Sequence, residues 1–213
     1  MKVARLLASL CFTLATTPSL AQGQAPETGF YLGGSIGQSQ IRFDDSTLQV
    51  AGATASSISK DETDTAWKAF IGYRLMKNLA VEGGYMDLGK FSATNTVAAP
   101  ATGTLTVSFK ASGPFVDAVG ILPLGDFSLF GKAGVMYSTA KGSVNTTGAV
   151  VTTGNTDQSS SEFNFKAGIG AGYDFTKNFG VRVEVEQVFS VGDKDKTGEG
   201  DIRLFTLGAV YRF

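Results

Sequence analysis

From Phe30 to Phe213 the chain alternates apolar and polar residues in eight separate stretches. The last stretch is the clearest. Phe205, Leu207, Ala209, Tyr211 and Phe213 fall on one side of an extended chain, while Leu204, Thr206, Gly208, Val210 and Arg212 fall on the other. The pattern predicts strands over 29–41, 64–75, 79–89, 105–122, 127–140, 162–175, 179–191 and 202–213. Pro114 makes the fourth the least regular, since a strand holds proline only at an edge, at a bulge or beyond the membrane zone.

The seven connections alternate in length. Met76-Lys77-Asn78, Pro123 to Asp126 and Thr176-Lys177-Asn178 are tight turns. The segments 42–63, 90–104, 141–161 and 192–201 are longer and rich in Ser, Thr, Gly, Asn and Asp. Short turns at one end and long loops at the other describe an up-and-down barrel in a bacterial outer membrane. A short internal echo supports the register: Gly72-Tyr73-Arg74-Leu75-Met76-Lys77-Asn78-Leu79 is similar to Gly172-Tyr173-Asp174-Phe175-Thr176-Lys177-Asn178-Phe179. Both read as hairpins, with Asn tolerating the positive φ that such turns use.

The polar faces carry charge of both signs. Lys68 and Arg74 alternate with Trp67, Ala69, Ile71, Tyr73 and Leu75. Lys166 with Gly168, Gly170 and Gly172 opposes Phe165, Ala167, Ile169, Ala171 and Tyr173, and Arg182, Glu184 and Glu186 oppose Val181, Val183 and Val185. Glu82, Lys132 and Arg212 complete the candidate lumenal set, which Asp117 joins in one of two registers of its strand. A soluble, ligand-holding barrel would invert this arrangement, with an apolar interior and a charged exterior. The clustering of aromatics at strand ends argues for the membrane form: Tyr73, Phe127, Tyr173, Phe175, Tyr211 and Phe213 near the short turns, and Trp67, Tyr137 and Phe189 near the long loops.

Composition narrows the picture. Residues 1–21 open with Lys2 and Arg5, continue through an apolar run and end in Ser19-Leu20-Ala21, as a secretory signal peptide does. Its apolar run is too short for a membrane helix. Cys11, the single cysteine, lies inside it behind Leu10 rather than in a lipoprotein-type context, so an exported chain without disulfides is expected. Residues 22–28 form a short lead, and 29–213 form the barrel domain. With 18 basic residues, two of them in the leader, against 19 acidic, the charge gives no support for a nucleic-acid partner. The 27 glycines and 5 prolines suit long twisted strands.

Three stretches resemble the OmpA-like eight-stranded outer-membrane barrels, a group that takes in the opacity-type surface proteins. They are Gly72-Tyr73-Arg74 through Val81-Glu82-Gly83-Gly84-Tyr85, the hairpin from Phe175 to Glu184, and the terminal Val210-Tyr211-Arg212-Phe213. The resemblance covers the chain from about Gly29 onward. It implies an all-β, eight-stranded antiparallel transmembrane barrel in the outer membrane of a Gram-negative bacterium. It also implies insertion by the outer-membrane assembly machinery on a terminal signal that includes Tyr211 and Phe213. The family's lumen carries a carboxylate–cation network discussed as a gate, and Glu82, Lys132, Arg182 and Glu184 stand at similar positions. Gly172 stands where that network has a carboxylate, and the fourth strand offers no matching lysine. The name-giving family member continues into a peptidoglycan-binding domain; a chain ending on Phe213 is expected to lack one.

Catalytic chemistry finds little purchase. The sequence has no histidine, so the usual general base for a lipid hydrolase or acyltransferase is missing. Asp44-Asp45 and Asp61 through Asp64 offer oxygen ligands without calcium-loop spacing, and solvated acidic loops are expected there. No cofactor and no metal is expected. The expected protein is a monomeric, non-enzymatic surface barrel in contact with outer-membrane lipid and lipopolysaccharide, whose loops meet a host-surface ligand. The alternative is a small, low-conductance pore built on the lumenal salt bridges. An eight-stranded lumen is about filled by side chains, which favours the structural role for those charges.

Overall fold

The computed structural model describes residues 28–41, 55–99, 102–148, 157–192 and 200–213. The proposed leader, Cys11, Asp44-Asp45 and part of each long loop lie outside these. The described chain forms nine strands: β1 (Gly29–Ile41), β2 (Ala55–Asp61), β3 (Thr63–Met76), β4 (Leu79–Ala99), β5 (Gly103–Leu124), β6 (Phe127–Gly148), β7 (Asp157–Asp174), β8 (Phe179–Val191) and β9 (Gly200–Arg212). Eight of them, all but β2, close into an antiparallel ring in which each strand pairs with its neighbours in sequence and β9 returns to β1. Closure leaves no free edge within the ring, so its backbone donors and acceptors pair internally, as hydrocarbon requires. The soluble alternative fails on orientation. Ile169, Leu207 and Phe165 point outward at 70%, 59% and 55% exposure, while Glu82 and Lys166 point inward at 1% and 0%.

Two aromatic belts bound the apolar surface. Near the tight turns Phe30 packs on Tyr73, Phe127 on Tyr173, and Tyr211 on Phe213. At the other end Trp67 packs on Tyr85, Tyr137 on Phe163, and Phe165 on Phe189. Amphipathic rings settle at the two membrane–water interfaces, so the belts mark the bilayer. Pro114 sits outward at the upper belt, opposite Tyr85, where the ladder between β5 and β6 skips residues 113 and 114. The missing N–H therefore falls in a gap in the pairing.

Strand continues well into the long connections. β4, β5 and β6 run for 21, 22 and 22 residues, against 13 each for β1, β8 and β9. The expected loops 90–104 and 141–161 are thus largely ribbon, and 42–63 contains β2, which pairs with the outer half of β4 from Asp61↔Ser92 to Ala55↔Ala99. Thr and Val at alternate positions suit a pleated ladder, and Thr94 and Thr106 share a cross-strand hydroxyl contact at 3.2 Å. A bulge conceals this continuation. Asp87 pairs with Ser112 and Lys90 with Lys110, so Leu88 and Gly89 together oppose one residue of β5. Outward positions are odd-numbered below the bulge (Val81, Tyr85) and even-numbered above it (Lys90, Ser92).

The two Lys-Asn turns are alike in an unexpected way. Among the described residues Ser190 is the single non-glycine residue with positive φ, so neither Asn78 nor Asn178 adopts the left-handed conformation expected of it. Each asparagine instead ties its turn to the next strand. Asn78 donates through Nδ2 to the Ile121 carbonyl at 2.9 Å and accepts from Ile121 N at 2.8 Å. Asn178 does the same with Arg212, at 2.8 and 2.7 Å. The amide side chain serves to satisfy backbone groups where the ladder ends.

Candidate functional site

Halfway along the lumen six strands direct charges at one another. Lys68 comes from β3, Glu82 from β4, Asp117 from β5, Lys132 from β6, Lys166 from β7, and Arg182, Glu184 and Glu186 from β8. Period-two alternation alone places Arg182, Glu184 and Glu186 on a common face. Four cations meet four carboxylates, so the cluster is formally neutral.

The contacts interlock. Arg182 grips Glu82 in a two-pronged bond, Nη1 to Oε1 at 2.6 Å and Nη2 to Oε2 at 3.2 Å, and its Nε pairs with Glu184. Lys132 reaches three carboxylates: Glu184 at 2.8 Å, Glu82 at 3.2 Å and Glu186 at 3.4 Å. Lys68 bonds to Glu184 at 2.5 Å and also to Glu186. Lys166 holds Asp117 at 2.7 Å and Glu186 at 3.0 Å. Tyr31 donates its hydroxyl to Glu82 Oε1 at 3.0 Å. Charges this deeply buried persist only when paired in this manner.

Rings and glycines shape the space around the network. The Arg182 guanidinium lies 4.0 Å from the Phe70 ring centre, and the Lys166 ammonium 4.1 Å from that of Phe115. Phe70 projects across Gly33 and Phe130 across Gly170, where an added Cβ would fall 2.2 and 2.4 Å from the ring. The glycine face of β7 thereby finds its reason: Gly168 admits Glu186, and Gly170 admits Phe130. Toward the outer end the lumen turns apolar, packed with Leu88, Phe91, Phe109, Val188, Val191 and Ile202. Toward the turns a cavity of about 40 Å³, lined by Tyr31, Arg74, Arg182 and Arg212 among others, is about large enough for a water molecule.

Seven of the nine lumenal residues expected from the sequence meet in this network: Lys68, Glu82, Lys132, Lys166, Arg182, Glu184 and Glu186. Arg74 and Arg212 do not; they line the mouth beside the tight turns. Arg212 pairs there with Asp174 at 2.7 Å, whereas Arg74 keeps a buried Nε without a hydrogen-bond partner. Asp117 belongs to the network, which fixes the ambiguous register of β5, and so does Tyr31, an aromatic that gives no charge signal in the sequence. Tyr211 and Phe213 lie outward on the lower belt, and the Phe213 amide donates to the Phe30 carbonyl at 3.1 Å across the seam that closes the barrel.

No metal-binding cluster of three or more acidic, His or Cys side chains occurs among the described residues. Asp64, one of the candidate oxygen ligands, is occupied by backbone amides. Its Oδ1 accepts from Thr65 N at 2.7 Å and its Oδ2 from Lys90 N at 2.6 Å.

The chain is similar to outer membrane protein A of Yersinia pseudotuberculosis, 29% identical over 210 residues, and to that of Serratia marcescens, 28% identical over 214 residues. Each alignment covers 96% of this chain but 54% and 55% of the relative, so the chain spans about half the length of the curated relatives it matches. Among solved structures, the N-terminal β-barrel domain of Pseudomonas aeruginosa OprF aligns over 90% of this chain and all of its own, with 14% identity and a TM-score of 0.48. Neisserial surface protein A aligns over 88% of this chain and all of its own, with 11% identity and a TM-score of 0.49. Residues 25–213 match the family model for the OmpA-like transmembrane domain, and the chain belongs to that family of Gram-negative outer-membrane barrels.

Proposed function

We propose that this barrel is a non-enzymatic, monomeric scaffold that holds a stiff β-ribbon at the cell surface for adhesive or host-surface contact. The observation that carries the reading is the asymmetry of the barrel: β4, β5 and β6 overshoot the upper aromatic belt together, above a lumen closed by its own side chains. From Tyr85 to Ala99 the chain rises roughly 45 Å along the strand. Surface segments carried on a rigid frame are where recognition resides. Insertion of the barrel is proposed to use Tyr211 and Phe213 as part of the signal read by the assembly machinery.

The test is to replace residues 93–107 with an Asn-Gly turn, joining Ser92 to its ladder partner Ser108. The expected product is a folded, heat-resistant barrel in the outer membrane that no longer mediates attachment to host cells or matrix. A folded product that attaches as well as the parent would sink the ribbon reading.

A pore is the second reading, favoured by one feature. Lys132 has three carboxylates within 3.4 Å, so exchange of ion-pair partners could open a path without unfolding a strand. Single-channel recording of the refolded barrel beside Glu82→Ala separates the two. Steady openings that the substitution changes would move the function into the lumen, and silence from both folded proteins would return it to the ribbon.

A further inference from the structure

Just above the upper aromatic belt three lysines stand in line. Lys90 on β4 pairs directly with Lys110 on β5, and Lys110 pairs directly with Lys141 on β6. All three point outward and are exposed. Directly opposed residues on neighbouring strands lie about 5 Å apart, close enough for like charges to destabilise the sheet. The fold supplies little compensation: Asp87 holds Lys110 at 3.2 Å, and among the described residues neither Lys90 nor Lys141 has an ion pair. The row lines a groove of about 470 Å³ shared with Gln158, Ser159 and Asp157, the last a carboxylate one outward position further out.

The height of the row identifies its occupant. Tyr85, Pro114, Tyr137 and Phe163 mark the membrane interface on these four strands. Lys110 is four residues beyond Pro114, or roughly 10 Å above the belt once strand tilt is allowed for. The headgroup zone extends about 5–8 Å beyond the hydrocarbon on each side, so lysine stems that fold back toward the belt bring their ammonium groups to the level of the lipid phosphates. We propose that Lys90, Lys110 and Lys141 form a binding row for an anionic, phosphate-bearing lipid of the outer leaflet, with Ser159 as a neutral hydrogen-bonding neighbour. The lipid's chains then descend over Tyr85 and Val116, and its phosphate relieves the repulsion that the sheet leaves uncompensated.

Trp67, the single tryptophan, reports on this place. It points outward opposite Asp87, with its ring 6.2 Å from that of Tyr85. Barrel refolded into phosphatidylcholine vesicles containing a minor fraction of chain-brominated phosphatidylglycerol is compared with barrel in vesicles where phosphatidylcholine carries the bromine. Each lysine near an anionic surface strengthens attraction on the order of fivefold. The expected result is quenching of Trp67 that reveals at least about a fivefold preference for phosphatidylglycerol. The preference should weaken with salt and disappear in K90Q/K110Q/K141Q, but survive in K77Q/K177Q, which removes lysines from the opposite end. Absence of preference in the unaltered protein overturns the proposal whether or not the triple variant folds. So does equal preference in a triple variant shown to fold by its compact band on an unheated gel. A sulfated oligosaccharide in solution that binds the lysine row while the lipid preference is absent would overturn it in favour of a glycan partner.

Discussion

Glu82 and Arg182, one hundred residues apart in the chain, meet in the middle of the lumen through two parallel hydrogen bonds of 2.6 and 3.2 Å. Both are almost wholly buried, and although Arg182 also pairs with Glu184 and Glu82 with Lys132, removal of either partner leaves the neutral cluster with one unbalanced buried charge. Glu82→Gln is therefore expected to lower unfolding stability in lipid vesicles by about 3–5 kcal/mol. Arg182→Met should cost a similar amount and Glu82→Gln/Arg182→Met clearly less than the sum, since residues in one network do not act independently. Arg74→Met provides the contrast. Arg74 has no carboxylate partner among the described residues and leaves its Nε unbonded, so its loss should cost under about 1 kcal/mol. Equal losses for Arg74→Met and Arg182→Met in urea titration would contradict the assignment of the network.

The outward face gives a prediction that depends on depth. Ile169 lies near the middle of the span, four residues from Tyr173 on the lower belt and six from Phe163 on the upper one, and is 70% exposed. Ile169→Lys places a charge at the bilayer centre and should cost about 2–4 kcal/mol, whereas Ser161→Lys, one outward position beyond Phe163, should cost no more than about 1 kcal/mol. Vesicle-based unfolding of the two variants measures the difference. Equal effects would mean that the belts do not mark the membrane.

Size matching inside the barrel can be probed at Gly72. An added Cβ there would fall 2.1 Å from Tyr31 Cζ, so Gly72→Ala must displace the ring and with it the hydroxyl that bonds Glu82. Overpacking of this kind costs about 1–3 kcal/mol. In a Tyr31→Ala background the space is open, and Gly72→Ala should then be close to neutral. Persistence of the full penalty in that background would mean that the cost arises from the backbone rather than from the ring.

Much of this architecture could be read from alternation alone, because in hydrocarbon a strand has no other way to separate lipid from lumen. Val181 to Glu186 and Phe205 to Phe213 sort outward and inward as their spacing dictates. Seven lumenal charges followed from the same rule, since a charged residue out of phase with an apolar face has one direction left to point. What the sequence concealed were events that break the period or use no charge. The extra residue beside Asp87 reverses the alternation, so the period breaks at Gly89 although β4 runs ten residues further. Asp117 lay in a strand whose Gly113-Pro114 step obscured the register. Asn78 and Asn178 stand at turns through their side-chain amides rather than through tolerance of positive φ.

That bulge makes the most demanding prediction. Gly89 has φ of 87°, and an added Cβ would come within 2.9 Å of Asp64 Cβ and of the Thr65 carbonyl oxygen. Around it Asp87 Oδ1 accepts from Gly89 N at 2.9 Å, Asp64 Oδ2 accepts from Lys90 N at 2.6 Å, and Ser39 Oγ donates to the Leu88 carbonyl at 2.6 Å. Three side chains from three strands thus hold one irregular step in place. A residue with a side chain at this φ is strained by about 1–3 kcal/mol, so Gly89→Ala should destabilise the barrel by that amount. The consequence for register is sharper, because a one-residue slip turns each side chain beyond it to the opposite face. Because Leu88 and Gly89 share one ladder position, deleting Gly89 alone should keep Lys90 outward and Phe91 inward, whereas deleting Leu88 and Gly89 together should swing Lys90 inward and Phe91 outward. A cysteine at position 90 should react readily with a membrane-impermeant maleimide both in the otherwise intact chain and in the Gly89 deletion, and slowly when Leu88 and Gly89 are both deleted. Slow labelling in the single deletion, or ready labelling in the double one, would show that Leu88 and Gly89 do not share one ladder position.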